Sequence, residues 1–248
     1  MKIHRMIVLL LFGLFLYGDV MYEMSTTTEG MMGMGGGETT ISVFIKGDCS
    51  RTKMTSTGPM AGQQIITITR LDKGVIWTLD MDNEQYSEMK LGEETEEVEG
   101  EEETSAAMPE ITVEKTGKKK VLLGKECEEV VVSMKVEDAE GSMNFTQTMW
   151  NTKDVTGYEE ITEFNKKMTE KGMKSSKSSM MADKKSFDDF QNKINEIEGF
   201  PLELDLEMTM ASEQMSFSMK TNTVVTKIDN KPINQKVFEI PVGYSLKE

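Results

Sequence analysis

The clearest pattern in the chain is the alternation over residues 202–220. Leu202, Leu204, Leu206, Met208 and Met210 fall on one parity, and Glu203, Asp205, Glu207 and Thr209 on the other. A strand repeats every two residues, so this run has one apolar and one wet face. On a helix the same residues would put Leu and Glu on every side. The alternation resumes with Met215, Phe217 and Met219 against Ser216, Ser218 and Lys220. Two such runs joined by a short polar link predict an antiparallel hairpin.

The same reading extends along the chain. Strands are predicted at Asp19–Thr28, Thr39–Ile45, Arg51–Thr57 (polar, and so placed near an edge), Ile65–Leu71, Val75–Asp80 and Gln85–Met89. Ile111–Val113, Lys120–Leu123, Cys127–Val136, Met143–Asn151 and a last strand at Val237–Ile240 follow. Between the tenth and eleventh of these the period changes. Tyr158, Ile161, Phe164, Asn165 and Met168 recur at three- and four-residue steps, as do Phe187, Phe190, Ile194 and Ile197. These stripes predict two helices, near residues 157–171 and 184–198. Gly199 stops the second. Strands, two helices, then strands exclude a doubly wound parallel sheet. The expected fold is mainly β (α+β): a curved antiparallel sheet, or unclosed β-barrel, with both helices on its concave face.

Targeting divides the chain. Lys2, His4 and Arg5 precede a twelve-residue apolar run, Met6–Tyr17, too short to cross a bilayer. Residues 1–18 read as a signal peptide, with a retained anchor as the alternative. Residues 19–248 then form a single domain, exported to the periplasm or secreted, with no stable membrane span after cleavage. Within it, residues 92–110 hold eight glutamates between Glu93 and Glu103 and read as a disordered acidic loop. Residues 172–183 read as the inter-helix loop.

The formal charge is −15, and loss of Lys2 and Arg5 with the signal takes it to −17. Such a chain is no nucleic-acid binder. Its one histidine, His4, leaves with the signal, which removes Ser–His–Asp and Cys–His catalysis. Carboxylate pairs abound simply because the chain is acidic, so none singles out a reaction, and no enzyme activity and no cofactor are expected. Cys49 and Cys127 are the only cysteines. An oxidising compartment favours a disulfide between them, and two separate thiols remain the alternative. There are 23 methionines. Met31, Met32 and Met34 crowd one Gly-rich segment, and thioethers are soft ligands for Cu(I), so a copper site is an alternative reading. Many others, Met143, Met149, Met208, Met215 and Met219 among them, lie at buried parity, where they fill irregular cores or line adaptable pockets.

Five short motifs carry a resemblance. They are Ile45-Lys46-Gly47-Asp48 with Arg51, Gly124-Lys125-Glu126-Cys127, Trp150-Asn151-Thr152-Lys153-Asp154, Gly199-Phe200-Pro201-Leu202, and Phe238 to Tyr244. In this order they resemble a bacterial family of exported domains of unknown function, itself similar to the outer-membrane lipoprotein carrier and receptor. The resemblance implies an unclosed β-barrel, with helices over the open side and an apolar cavity for acyl chains. It does not imply lipoprotein carriage, because no motif here identifies that substrate. With the apolar parity it places a lipid-like ligand between Phe164, Phe187 and Phe190 on the helices and Leu204, Leu206, Phe217 and Met219 on the sheet. Trp77 and Trp150 would pack in the core or line that cavity. The expected partner is a lipid or other apolar molecule. A filled core, and a structural or interaction role among envelope proteins, is the alternative.

Overall fold

The computed structural model describes residues 18–29, 36–57, 62, 64–92, 110–137, 141–172, 193, 197–212 and 216–247. Its strands are β1 (Val20–Thr28), β2 (Gly37–Lys46), β3 (Cys49–Ser56), β4 (Gln64–Arg70), β5 (Val75–Asp80), β6 (Gln85–Lys90), β7 (Glu110–Leu122), β8 (Lys125–Glu137), β9 (Gly141–Thr152), β10 (Phe200–Ser212), β11 (Ser216–Asp229) and β12 (Ser245–Leu246). Helix α1 (Tyr158–Gly172) lies between β9 and β10.

All twelve strands join one curved, unclosed sheet in the order β12-β6-β5-β4-β3-β2-β1-β11-β10-β9-β8-β7. Every pairing is antiparallel except the two-residue parallel pair of β12 with β6. The hairpin at 202–220 forms as its alternation predicts, with Leu206 opposite Thr221 and Met208 opposite Met219. Register shifts at Glu23/Met24, Lys115/Lys119 and Pro201/Glu203 accommodate the bending that long strands need to curve.

Two expectations are corrected. The polar run at 51–57 belongs to β3, which is paired on both sides, to β2 and β4, and is not near an edge. Its polarity reflects a mixed face: Thr52 lies opposite Thr67, and Thr67 opposite Thr78. The last strand is not at 237–240. Gln235–Phe238 is a 3-10 helix, capped by Asn234, whose side chain accepts from the Lys236 amide. Val237 and Phe238 are adjacent, yet Phe238 is fully buried and Val237 packs on the same cluster, which an alternating strand would not allow. The second predicted helix falls almost entirely outside the described residues, as do the segments 1–17 and 93–109 and the methionines at 31, 32 and 34.

Among the described residues the core has three parts. The largest gathers where β1, β8 and β10 begin and β2 ends. Val20, Ile45, Cys127, Leu202 and Val225 meet Ile161 and Phe164 of α1 there. The helix is tied to this end by its polar side chains. The Gly47 amide donates to Glu160 Oε1 at 2.6 Å. Lys167 Nζ donates to Asp48 at 2.8 Å, and Lys171 Nζ to the Leu71 carbonyl at 2.9 Å. A second cluster lies on the opposite face of β3–β5, where Ile66, Ile68, Trp77 and Leu79 are covered by Phe238, Val237 and Ile240. Arg70, itself buried, locks that cover in place. It donates twice to Asp72 (2.8 and 2.7 Å) and also to Glu239 Oε1 (2.6 Å) and the Phe238 carbonyl (3.3 Å). The third cluster, Val130, Val132 and Met149 with Leu204 and Ile197, sits on β8–β10.

Gly157 enters α1 at φ +84°, and a Cβ there would meet Val20 Cγ2 at 2.7 Å. Gly157→Ala is expected to destabilise the fold by about 1–3 kcal/mol in urea unfolding, through left-handed strain and the clash together. Tyr22 packs edge-on to Phe200 at 5.1 Å, and burial pushes its phenol up to about 12. Its neutral form is favoured in the fold, so this contribution is complete below the ordinary value near 10 and is lost as pH rises through about 12. Titration of phenolate absorbance should show one late tyrosine, absent in Tyr22→Phe.

Candidate functional site

Residues directly opposite in an antiparallel ladder share a face. The Leu204 parity can therefore be followed across strands. Leu204, Leu206, Met208 and Met210 of β10 face Met149, Gln147, Phe145 and Met143 of β9. These in turn face Val130, Val132, Met134 and Val136 of β8. On the other side Met210 faces Phe217, and Met208 faces Met219, of β11. The same parity continues through Thr223 to Thr26, and Val225 to Met24, of β1. This is one continuous face, mostly apolar over β8–β11 with Gln147, Thr221 and Thr223 set within it.

Its burial is graded. Near α1, Leu202 and Val132 are fully buried, and Val130 and Met149 nearly so. Farther along, Met134, Phe145, Leu206, Met208, Phe217 and Met219 are only half-buried, and Met210 is 46% exposed. Among the described residues, these long strands outrun their cover. Most of this outer stretch is Met and Phe, large side chains that adapt to a variable neighbour.

The structure brings together part of the expected site. Leu204, Leu206, Phe217 and Met219 share the apolar face. Phe164 does not join them: it is 6% exposed and belongs to the core beneath α1. Phe187 and Phe190 lie outside the described residues. Three cavities, of about 340, 390 and 420 Å³, occur among the described residues. None is lined by Leu204, Leu206, Phe217 or Met219. Trp77 is buried in the second cluster and hydrogen-bonds Glu88 at 2.8 Å. Half-buried Trp150 carries Lys120 Nζ 4.3 Å from its ring centre, and Lys120 also pairs with Glu203 at 2.7 Å. Sequence parity alone found the sheet residues of the face. Gln147, in the middle of it, was hidden because it breaks the apolar run of β9.

Cys49 and Cys127 are free thiols, both buried, in different apolar clusters. Five strands separate β3 from β8 in the sheet, which explains why the favoured bridge is not made. Burial is the main influence on both and pushes each thiol up. Among the described residues no cluster of three or more His, Cys, Asp or Glu is arranged to hold a metal ion. Among the described residues, too, no helix is long and apolar enough to cross a membrane.

The profile of the family described as "Domain of unknown function (DUF4412)" matches residues 23–244, and the chain belongs to that family. No curated protein matches it. Two solved structures are similar over most of their length. One is described as an outer membrane lipoprotein-sorting protein domain, from Vibrio parahaemolyticus, at 10% identity and TM-score 0.31, covering 90% of this chain and 89% of that one. The other is a DUF1329 family protein from Desulfovibrio piger, at 8% identity and TM-score 0.32, covering 90% of each. Overlaps this loose carry no argument about activity. The five motifs gather mostly at the α1 end and in the C-terminal segment: Ile45, Cys127, Phe200, Leu202 and Phe238 are all buried. They mark how the fold is closed and say nothing of the half-buried face.

Two measurements follow. Leu202→Ala should cost about 2–5 kcal/mol and Leu206→Ala about half as much or less, because only the first leaves a closed cavity. Thiol titration without reductant should find no reactive thiol in the folded protein and two in denaturant. A bridged chain would yield none in either.

Proposed function

We propose that this is a non-catalytic exported protein, periplasmic or secreted, in which residues 19–248 form one carrier-type domain. It holds a lipid-like or other apolar ligand against the half-buried face of β8–β11. The observation that carries this reading is the graded burial of that face. Its apolar parity is unbroken on β10, yet its outer half remains accessible. Folded chains seldom leave a contiguous apolar stripe accessible unless something binds to it. Leu204, Leu206, Phe217 and Met219 form the sheet side of the site. Phe187 and Phe190, at helical spacing in the sequence, are the lid residues that the sequence pattern suggests. Phe164 anchors α1 instead. Methionine and phenylalanine suit a ligand of variable shape such as an acyl chain.

The test is uptake of a fluorescent fatty acid, together with native mass spectrometry of protein purified from its own host. Co-purified lipid is expected, with uptake reduced about tenfold or more in Leu206→Asp, where a charge meets the acyl chain. Absence of lipid in both assays would leave a structural or interaction module of the cell envelope as the better account.

A further inference from the structure

A second site lies on the other side of the sheet. The cavity of about 420 Å³ sits between β3–β5 and the C-terminal segment. Ile68, Leu79, Val237, Ile240, Pro241 and Val242 give it apolar walls. Ile68 and Leu79 are almost wholly buried and Val242 is fully exposed, so the lining runs from a dry floor to an open rim.

Two cations reach this cavity, Arg51 and Lys236. Arg51 Nε is sealed from solvent and has no hydrogen-bond acceptor among the described residues. Burial is the largest influence on its guanidinium and works against its charge, with Tyr244 opposing. Arg51 as a whole is only half-buried, but burying one of its donors without an acceptor is costly. The one carboxylate in the lining, Glu239, is already engaged. Its Oε1 accepts from Arg70 at 2.6 Å, and its Oε2 lies 3.5 Å from Lys73 Nζ. An otherwise acidic protein thus keeps two cations at an apolar cavity and spends the local carboxylate elsewhere.

We propose that this cavity binds a small amphipathic anion. Its carboxylate, sulfate or phosphate head would pair with Arg51 and lie within the field of Lys236. Its short apolar tail would rest on Ile68, Leu79 and Ile240. A guanidinium suits such heads because its planar fork can donate two parallel hydrogen bonds. The volume lies in the range of small-molecule sites. This site is separate from the apolar face of β8–β11 and needs no long acyl chain.

Calorimetric titration of full-length Leu206→Asp protein, in which the carrier face is disabled, with octanoate, octanol and inorganic phosphate tests it. Octanoate should bind. Octanol, which lacks the charge, and phosphate, which lacks the tail, should each bind about tenfold more weakly or worse. Arg51→Gln should lose octanoate binding by about tenfold or more, provided its circular dichroism matches wild type. Lys236 is exposed on the 3-10 helix, so Lys236→Glu tests the same field with no burden on folding. It should weaken octanoate about threefold or more. Octanoate binding that persists in Leu206→Asp separates this site from the carrier face. In that background, equal binding of octanol or phosphate, indifference to Lys236→Glu, or no octanoate binding would each overturn the proposal.

Discussion

A sheet of twelve strands has two faces, and every apolar stretch on either must be covered by something. That constraint shapes the rest of the molecule. Burial of each large apolar side chain contributes about 1.5–3 kcal/mol, so an uncovered stripe is a substantial loss. Among the described residues, two separate covers lie on opposite faces. Helix α1 closes one end of the first face, and the segment around Phe238 closes part of the second. Neither reaches the outer half of β8–β11.

The two covers are held differently. The C-terminal segment depends on one buried cation, Arg70, which donates to Asp72, Glu239 and the Phe238 carbonyl. Only loss of both carboxylates, Asp72 and Glu239, would strand its charge in an apolar region, and the several bonds fix the direction of the clamp. Helix α1 depends on apolar contacts made by Ile161 and Phe164, oriented by Glu160, Lys167 and Lys171 at the turns. Each polar tip reaches a turn at the same end of the sheet. The helix therefore acts as a stopper for that end rather than a roof along the strands.

Much of this architecture was legible in the residues. Strict alternation at 202–220 fixed both strand identity and facing, because a period of two admits no other burial. The three- and four-residue spacing from Tyr158 to Met168 located α1. Less legible was what depends on contacts remote in sequence. Val237–Ile240 looks like a strand locally, but Phe238 is drawn into a core built by β4 and β5. The polar β3 is interior because its neighbours tolerate threonine on that face. Phe164 has the periodicity of a lid residue, and only the turn at Gly47–Asp48, far away in the chain, shows that it belongs to the stopper. Arg51 sits in a recognisable hairpin motif, yet its unpaired Nε appears only when the C-terminal segment is laid over it.

The stopper at one end has a consequence for how the sheet moves. Cohesion is concentrated where α1 meets the strand ends, while the opposite ends of β8–β11 carry few buried side chains. Opening free energy should therefore fall steadily along each of these strands, so that their far tips fray while their roots stay locked. The sheet then behaves less like a rigid shell than like a fan fixed at its pivot, able to change its gape without loosening the joint.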